Sequence, residues 1–331
     1  MKEIVLFRAI VTILLVVYHS FCFYRGSWDV PVAYTGVNIK FYEFFANITY
    51  SFMLEGFTFI AGFVYAYQVK KKGDYSFKEL IPKKIKRLFL PVLFWGLIYM
   101  LLFNEFSHQR TIDICINLIS GVHHLWFLPM LFFCFLFFWL ADKFINIYMI
   151  LFGSFFLMLL KSWMNIPFGI GHSFQYFYFF TLGVFLYRNI TFVKKFLIRK
   201  SVFILCLLSY ILLFMVYHYV DIEKVSFLTK VISFIELRMF KTFGLLMVFI
   251  GITMYLDKRN EVGYIVNLIA TLSMGIYIFH QMILDYLYYH TPLASYVNVY
   301  LFPIVGFVLS FFLSMLFTHL LKRVRYVREV I

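Results

Sequence analysis

Phe7-Arg8-Ala9-Ile10-Val11-Thr12-Ile13-Leu14-Leu15-Val16-Val17-Tyr18-His19-Ser20 is an apolar run interrupted by two ionisable side chains. Read as a helix starting near Ile4, it is long enough to enter and cross a bilayer. Eleven helical steps separate Arg8 from His19, almost a whole number of turns. The two side chains therefore point the same way, about 16 Å apart along the axis, with Thr12 and Leu15 between them. An ionisable pair on one side of a membrane helix faces protein or water rather than lipid, and it marks a functional site by default. A secretory signal is the competing reading of this segment. It lacks a small-residue cleavage site, since the exit reads His19-Ser20-Phe21-Cys22-Phe23.

The rest of the chain extends the pattern. Of 331 residues, 63% are hydrophobic and 14% are charged, which excludes an ordinary soluble domain. Apolar runs predict an all-α, polytopic membrane bundle of about ten helices, near 4–24, 45–69, 88–106, 125–141, 147–161, 174–188, 201–220, 237–256, 264–285 and 299–320. Residues 1–331 then form a single transmembrane domain. The net charge of +14 is a topology signal rather than a mark of nucleic-acid binding. With the amino terminus inside, 22 basic residues fall in inner segments and 8 in outer ones, among them the late cluster Lys322, Arg323, Arg325 and Arg328. That bias places both termini in the cytoplasm. The four cysteines show no metal spacing, and no disulfide is expected between Cys22 and Cys115.

Several groups stand out against this background. Ser51, Glu55, Thr58 and Gly62 recur at steps of four, three and four, a polar and small-residue stripe on the second span. Counting helical rise puts Glu55 about 20 Å and His19 about 22 Å above the inner face, so the two are expected to meet. A carboxylate there raises the imidazole's basicity and fixes its tautomer. Ser273, Tyr277 and His280 share one face of the ninth span, with His280 about 24 Å up, against the plain reading of a satisfied packing histidine. The loop from Lys70 to Arg87 holds eight basic residues and runs straight into Leu88. Two readings fit it: topological anchoring on anionic lipid, or a cytosolic polyphosphate site walled by Arg8, Lys84, Lys86 and Arg87.

Elsewhere the signal is weaker. His108, His123 and His124 lack ligand spacing, so no metal is expected. Trp126, on its own, reads as an interfacial anchor and Gly183 as a close helix contact. Glu236, Arg238 and Lys241 open the eighth span, either paired with one another or lining the mouth of a cavity for a polar substrate.

Taken in order, these motifs resemble the integral-membrane acyltransferase type 3 family over essentially the whole chain. Arg8 and His19 match its amino-terminal Arg-x10-His pattern. Glu55 followed by Phe57 to Phe59 and Ala61-Gly62-Phe63 is similar to its acidic residue, aromatic run and Ser-Gly-Phe, with alanine for serine. Lys86-Arg87-Leu88 with Pro91, His124-Leu125-Trp126-Phe127-Leu128, and Gly275-Ile276-Tyr277-Ile278-Phe279-His280 follow at the expected places.

The resemblance implies an inner-membrane enzyme that moves an acyl group, usually acetyl, from cytosolic acyl-CoA to hydroxyls of an extracytoplasmic carbohydrate or glycolipid. It also implies a form without the added soluble hydrolase-like domain that some members carry. In that scheme Arg8, Lys84, Lys86 and Arg87 hold the phosphates of the donor. His19 serves as base or acyl carrier with Glu55 orienting it, and Tyr277 or His280 donates to the oxyanion. His124, Trp126 and Arg238 stand towards the acceptor. The alternatives are a proton-coupled glycolipid transporter or flippase using His19, Glu55 and His280 as a relay, and a non-catalytic membrane partner.

Overall fold

A computed structural model describes residues 1–105, 110–160, 166, 169–219, 227–259, 261–324, 327 and 330–331. His108, Arg325, Arg328 and the side chain of Glu236 fall outside what it describes. The described residues form helices joined by turns and short irregular segments, without a strand among them. The α-helices are α1 (Lys2–Phe21), α2 (Lys40–Tyr50), α3 (Met53–Lys72), α4 (Phe77–Lys84), α5 (Leu90–Leu102), α6 (Thr111–Ser120), α7 (Phe127–Ala141) and α8 (Ile147–Leu160). They continue with α9 (Ile170–Arg188), α10 (Ile190–Leu197), α11 (Lys200–Tyr219), α12 (Phe227–Lys258), α13 (Tyr264–Tyr289), α14 (Leu293–Tyr296) and α15 (Phe302–Leu321).

Each of the ten expected spans overlaps one of these helices. Among the described residues, 7 helical stretches, some joining two or more of these elements, are long and apolar enough to cross a membrane, or up to 8 if α10 and α11, bent by 78° at their junction, count as one broken span. The chain is thus a multi-pass helical protein. The apolar helix α8 is described over 14 residues, Ile147–Leu160.

Two departures from regular helix position charged side chains. The second expected span breaks at Ser51, whose hydroxyl donates to the carbonyl of Ile48 at 2.6 Å and competes with the backbone ladder. Glu55 consequently sits in the first turn of α3, where the helix dipole favours a carboxylate. Between α4 and α5 the ladder widens into a π-turn over Ile85–Phe89, with Leu90 N–H reaching Ile85 O. Pro91 explains this: it has no N–H to give, and its ring crowds the carbonyl four residues back, at Arg87.

The chain forms two compact units, each discontinuous in sequence. The first comprises 1–7, 54–79 and 133–263. Its core includes the ring cluster of Phe7, Phe59, Phe63 and Phe249. There α3 and α9 touch backbone to backbone: a methyl at Gly62 would strike the Phe180 carbonyl, and one at Gly183 the Phe59 carbonyl. Only glycine permits so close a crossing, as expected for Gly183.

The second unit comprises 8–53, 80–132 and 264–331. In it α13 packs on α15. Phe23, Tyr34, Tyr288 and Phe302 build an aromatic core at one end. Hydroxyls of Tyr24, Tyr34 and Tyr42 donate to carbonyls of Val299, Val297 and Tyr300, pinning the α1–α2 connection and the first turn of α2 to the α14–α15 connection. At the other extreme of the sequence, Trp95 Nε1 donates to Val330 O at 2.9 Å.

Candidate active site

The expected stripe on α1 faces protein. Thr12 and Leu15 are buried, Thr12 Oγ1 donates to Arg8 O at 2.7 Å, and Arg8 and His19 at the two ends keep partial exposure. His19 therefore belongs to an interior surface while the residue stays partly exposed.

Three imidazoles of the second unit gather here. His19 comes from the last turn of α1, His280 from the middle of α13, and His124 from the 3-10 turn His123–Trp126 that opens α7. That turn depends on Gly121 at φ 91°, where a side chain would run into the backbone of Trp126. The rings of His19 and His280 lie 4.8 Å apart, and those of His280 and His124 5.1 Å apart. His280 Nδ1 is 2.9 Å from Ile276 O and 2.8 Å from Tyr277 O, while its Nε2 is 3.2 Å from His19 Nδ1. His19 Nδ1 also lies 2.9 Å from Leu15 O, and His124 Nε2 lies 3.1 Å from Ile278 O. His124 Nδ1 is buried and has no hydrogen-bond partner among the described residues. The Tyr277 hydroxyl donates to the carbonyl of His124. An oxyanion role would require that bond to be surrendered.

Trp28, which carries no motif in the sequence, closes on the histidines from the α1–α2 connection, its ring 5.8 Å from that of His19. Nearby, Tyr18 donates to Ser27 Oγ at 3.0 Å, and Arg25 lies 4.1 Å over the ring of Tyr50. The cluster thus combines a partly accessible imidazole, buried polar supports and an aromatic wall. Trp126 is half-buried beside Phe127.

The basic residues of the π-turn approach the start of α1. Arg8 feels the charge of Arg87, and Lys84 feels it too. Lys86 and Arg87 are exposed, Lys84 and Arg8 half-buried. Among the described residues neither Arg8 nor Arg87 forms an ion pair with an acid. Cations held close together with no acid on either arginine make a surface suited to a polyanion.

Glu55 belongs to the first unit and is fully buried. Its Oε1 accepts from Lys241 Nζ at 2.5 Å, an ion pair between α3 and α12. Its Oε2 has no hydrogen-bond partner among the described residues. Lys241 is itself buried, as is Arg238 one turn earlier on α12. Sequence position alone suggests an outer mouth for both. The neglected signal is the mid-span carboxylate itself, which demands a counter-charge from another apolar helix. No set of three or more His, Cys, Asp or Glu side chains among the described residues is arranged to hold a metal ion.

A family model described as an acyltransferase domain matches residues 1–322. The chain belongs to the acyltransferase 3 family. Comparison with curated proteins and with solved structures returned no match. Membership in this family of membrane acyltransferases gives the histidine cluster its chemical context. Acyl transfer needs a base to take the proton of an attacking hydroxyl, and His19 is the one of the three histidines that is half-buried rather than buried.

Proposed function

We propose that the protein transfers an acyl group, most simply acetyl, from cytosolic acyl-CoA to a hydroxyl of an extracytoplasmic carbohydrate or its glycolipid precursor, in the inner membrane and with both termini in the cytoplasm. The observation that carries this reading is the shared face of α1. It sets Arg8 beside the cations of the π-turn at one end and His19 among buried imidazoles at the other. Coenzyme A is a polyanion on a long thin arm ending in a thioester, and those two ends match its two chemistries.

In this scheme the phosphates rest against Arg8, Arg87, Lys84 and Lys86, and the thioester reaches His19. The imidazole takes the proton of the acceptor hydroxyl as its oxygen attacks the thioester carbon. The tetrahedral intermediate collapses with cleavage of the C–S bond, and the imidazolium returns its proton to the departing thiolate. General-base assistance of this kind contributes roughly 10²- to 10⁴-fold. His124 and Trp126 remain the residues assigned to the acceptor.

The test is incubation of purified, lipid-reconstituted protein with labelled acetyl-CoA and an envelope carbohydrate extract from the producing cells. Release of free CoA that depends on the extract, with label appearing in carbohydrate, is the expected result. Movement of glycolipid across the vesicle membrane without CoA release would instead identify a transporter.

A further inference from the structure

The protons of the histidine cluster can be placed from the acceptors around it, and the placement singles out one nitrogen. A backbone carbonyl only accepts hydrogen bonds. His280 Nδ1, facing the carbonyls of Ile276 and Tyr277 at 2.9 and 2.8 Å, therefore carries its hydrogen. In a neutral ring that leaves His280 Nε2 as a bare acceptor, and it points at His19 Nδ1 at 3.2 Å. His19 Nδ1 has only acceptors before it, Nε2 of His280 and the Leu15 carbonyl at 2.9 Å, so it is the protonated nitrogen of that ring. The lone pair of His19 is left on Nε2.

We infer that His280 is a positioning residue: through its Nε2 it holds His19 in the tautomer whose Nε2 is the open base. Resting on the acyltransferase reading, this identifies the atom that accepts the hydroxyl proton and the group that keeps it free. His280 does for His19 what a buried carboxylate does for the histidine of a serine-hydrolase triad, but without charge. When His19 becomes imidazolium, its Nδ1–H still has an acceptor, so the proton it gains need not be shared along the chain. His280 is itself fixed. It is fully buried, both its N–H acceptors lie on its own helix, and its carbonyl receives Ser310 Oγ from α15 at 3.1 Å.

The direct test is 15N NMR of histidine-labelled protein in lipid, with the His19 signals assigned by their loss in His19→Ala. The expected wild-type spectrum shows a protonated Nδ1 and a bare Nε2 on His19. His280→Phe should weaken that preference, since only the Leu15 carbonyl then holds the Nδ1 hydrogen, let the ring turn, and lower kcat for acetyl transfer to the envelope carbohydrate extract by about tenfold to a hundredfold, with KM for acetyl-CoA little changed. His280→Gln, whose carboxamide oxygen reaches the place of Nε2 while its N–H2 serves the carbonyls, should keep the tautomer and most of the rate. A wild-type His19 protonated on Nε2 overturns the proposal, and so does a His280→Phe protein with unchanged kcat. The spectrum requires no turnover. A wrong tautomer would therefore leave the acyltransferase reading standing, whereas a wild-type protein that releases no CoA in the presence of the carbohydrate extract would remove that reading while leaving the spectrum as it is.

Discussion

A single carbonyl or counter-ion decides what each ionisable side chain in this protein can do. Arg8 lies near another cation, and among the described residues its guanidinium meets no acid, so its charge is available to a ligand. Arg8→Ala should raise KM for acetyl-CoA by about ten- to a hundredfold, the loss of one charge-assisted contact of roughly 1.5–3 kcal/mol, and leave kcat nearly intact. Steady-state kinetics at varied donor concentration reads this out. Glu55 and Lys241 behave differently because they are buried together. Removing one partner strands the other's charge, so Glu55→Gln should destabilise the protein by about 3–5 kcal/mol, while the apolar double variant Glu55→Leu, Lys241→Met should recover much of that loss. Thermal unfolding in detergent tests both. Arg8, His19 and His280 were legible in the sequence because an ionisable group in an apolar run stands out. The partner of Glu55 was not. A long lysine in an apolar helix looks alike whether it snorkels to the interface or folds inward, and only the packing of α3 against α12 distinguishes the two.

Helices announce themselves through apolar content, and each of the ten expected runs overlaps one. Their irregularities are quieter. The break at Ser51 comes from one hydroxyl turning back on the ladder, without a proline or glycine to flag it. The π-turn is signalled by Pro91, yet the sequence does not say whether a proline at a helix entrance opens the ladder or merely starts it. In the proposed scheme this turn bears on donor binding, since it carries Lys86 and Arg87 and follows Lys84. Pro91→Ala restores the missing N–H and lets the ladder close to an α-helix, which turns the preceding residues by about 100°. The expected outcome is a protein at least as stable as the wild type, with a raised KM for acetyl-CoA and an unchanged kcat. The α3–α9 crossing makes the opposite kind of prediction. Gly183→Val places a side chain against the Phe59 carbonyl, and the yield of folded protein on size-exclusion chromatography should fall sharply.

At the scale of the whole chain, neither compact unit follows the linear sequence, and α1 contributes Phe7 to one and His19 to the other. Composition foretold a membrane protein but not this division, because contacts far apart in the chain create it. The excess of basic residues in alternate segments predicts that reporters fused at Met1 and at Ile331 both register the cytoplasm. The proposed acyl-transfer scheme rests on a division of labour along α1, with donor binding assigned to Arg8 and proton transfer to His19. Acetyl transfer measured at saturating acetyl-CoA for His19→Ala and Arg8→Ala separates the two roles. Saturation should restore the Arg8 variant to near the wild-type rate and leave the His19 variant inactive although it is inserted and abundant. A His19→Ala protein that transfers acetyl at the wild-type rate would contradict that division of labour.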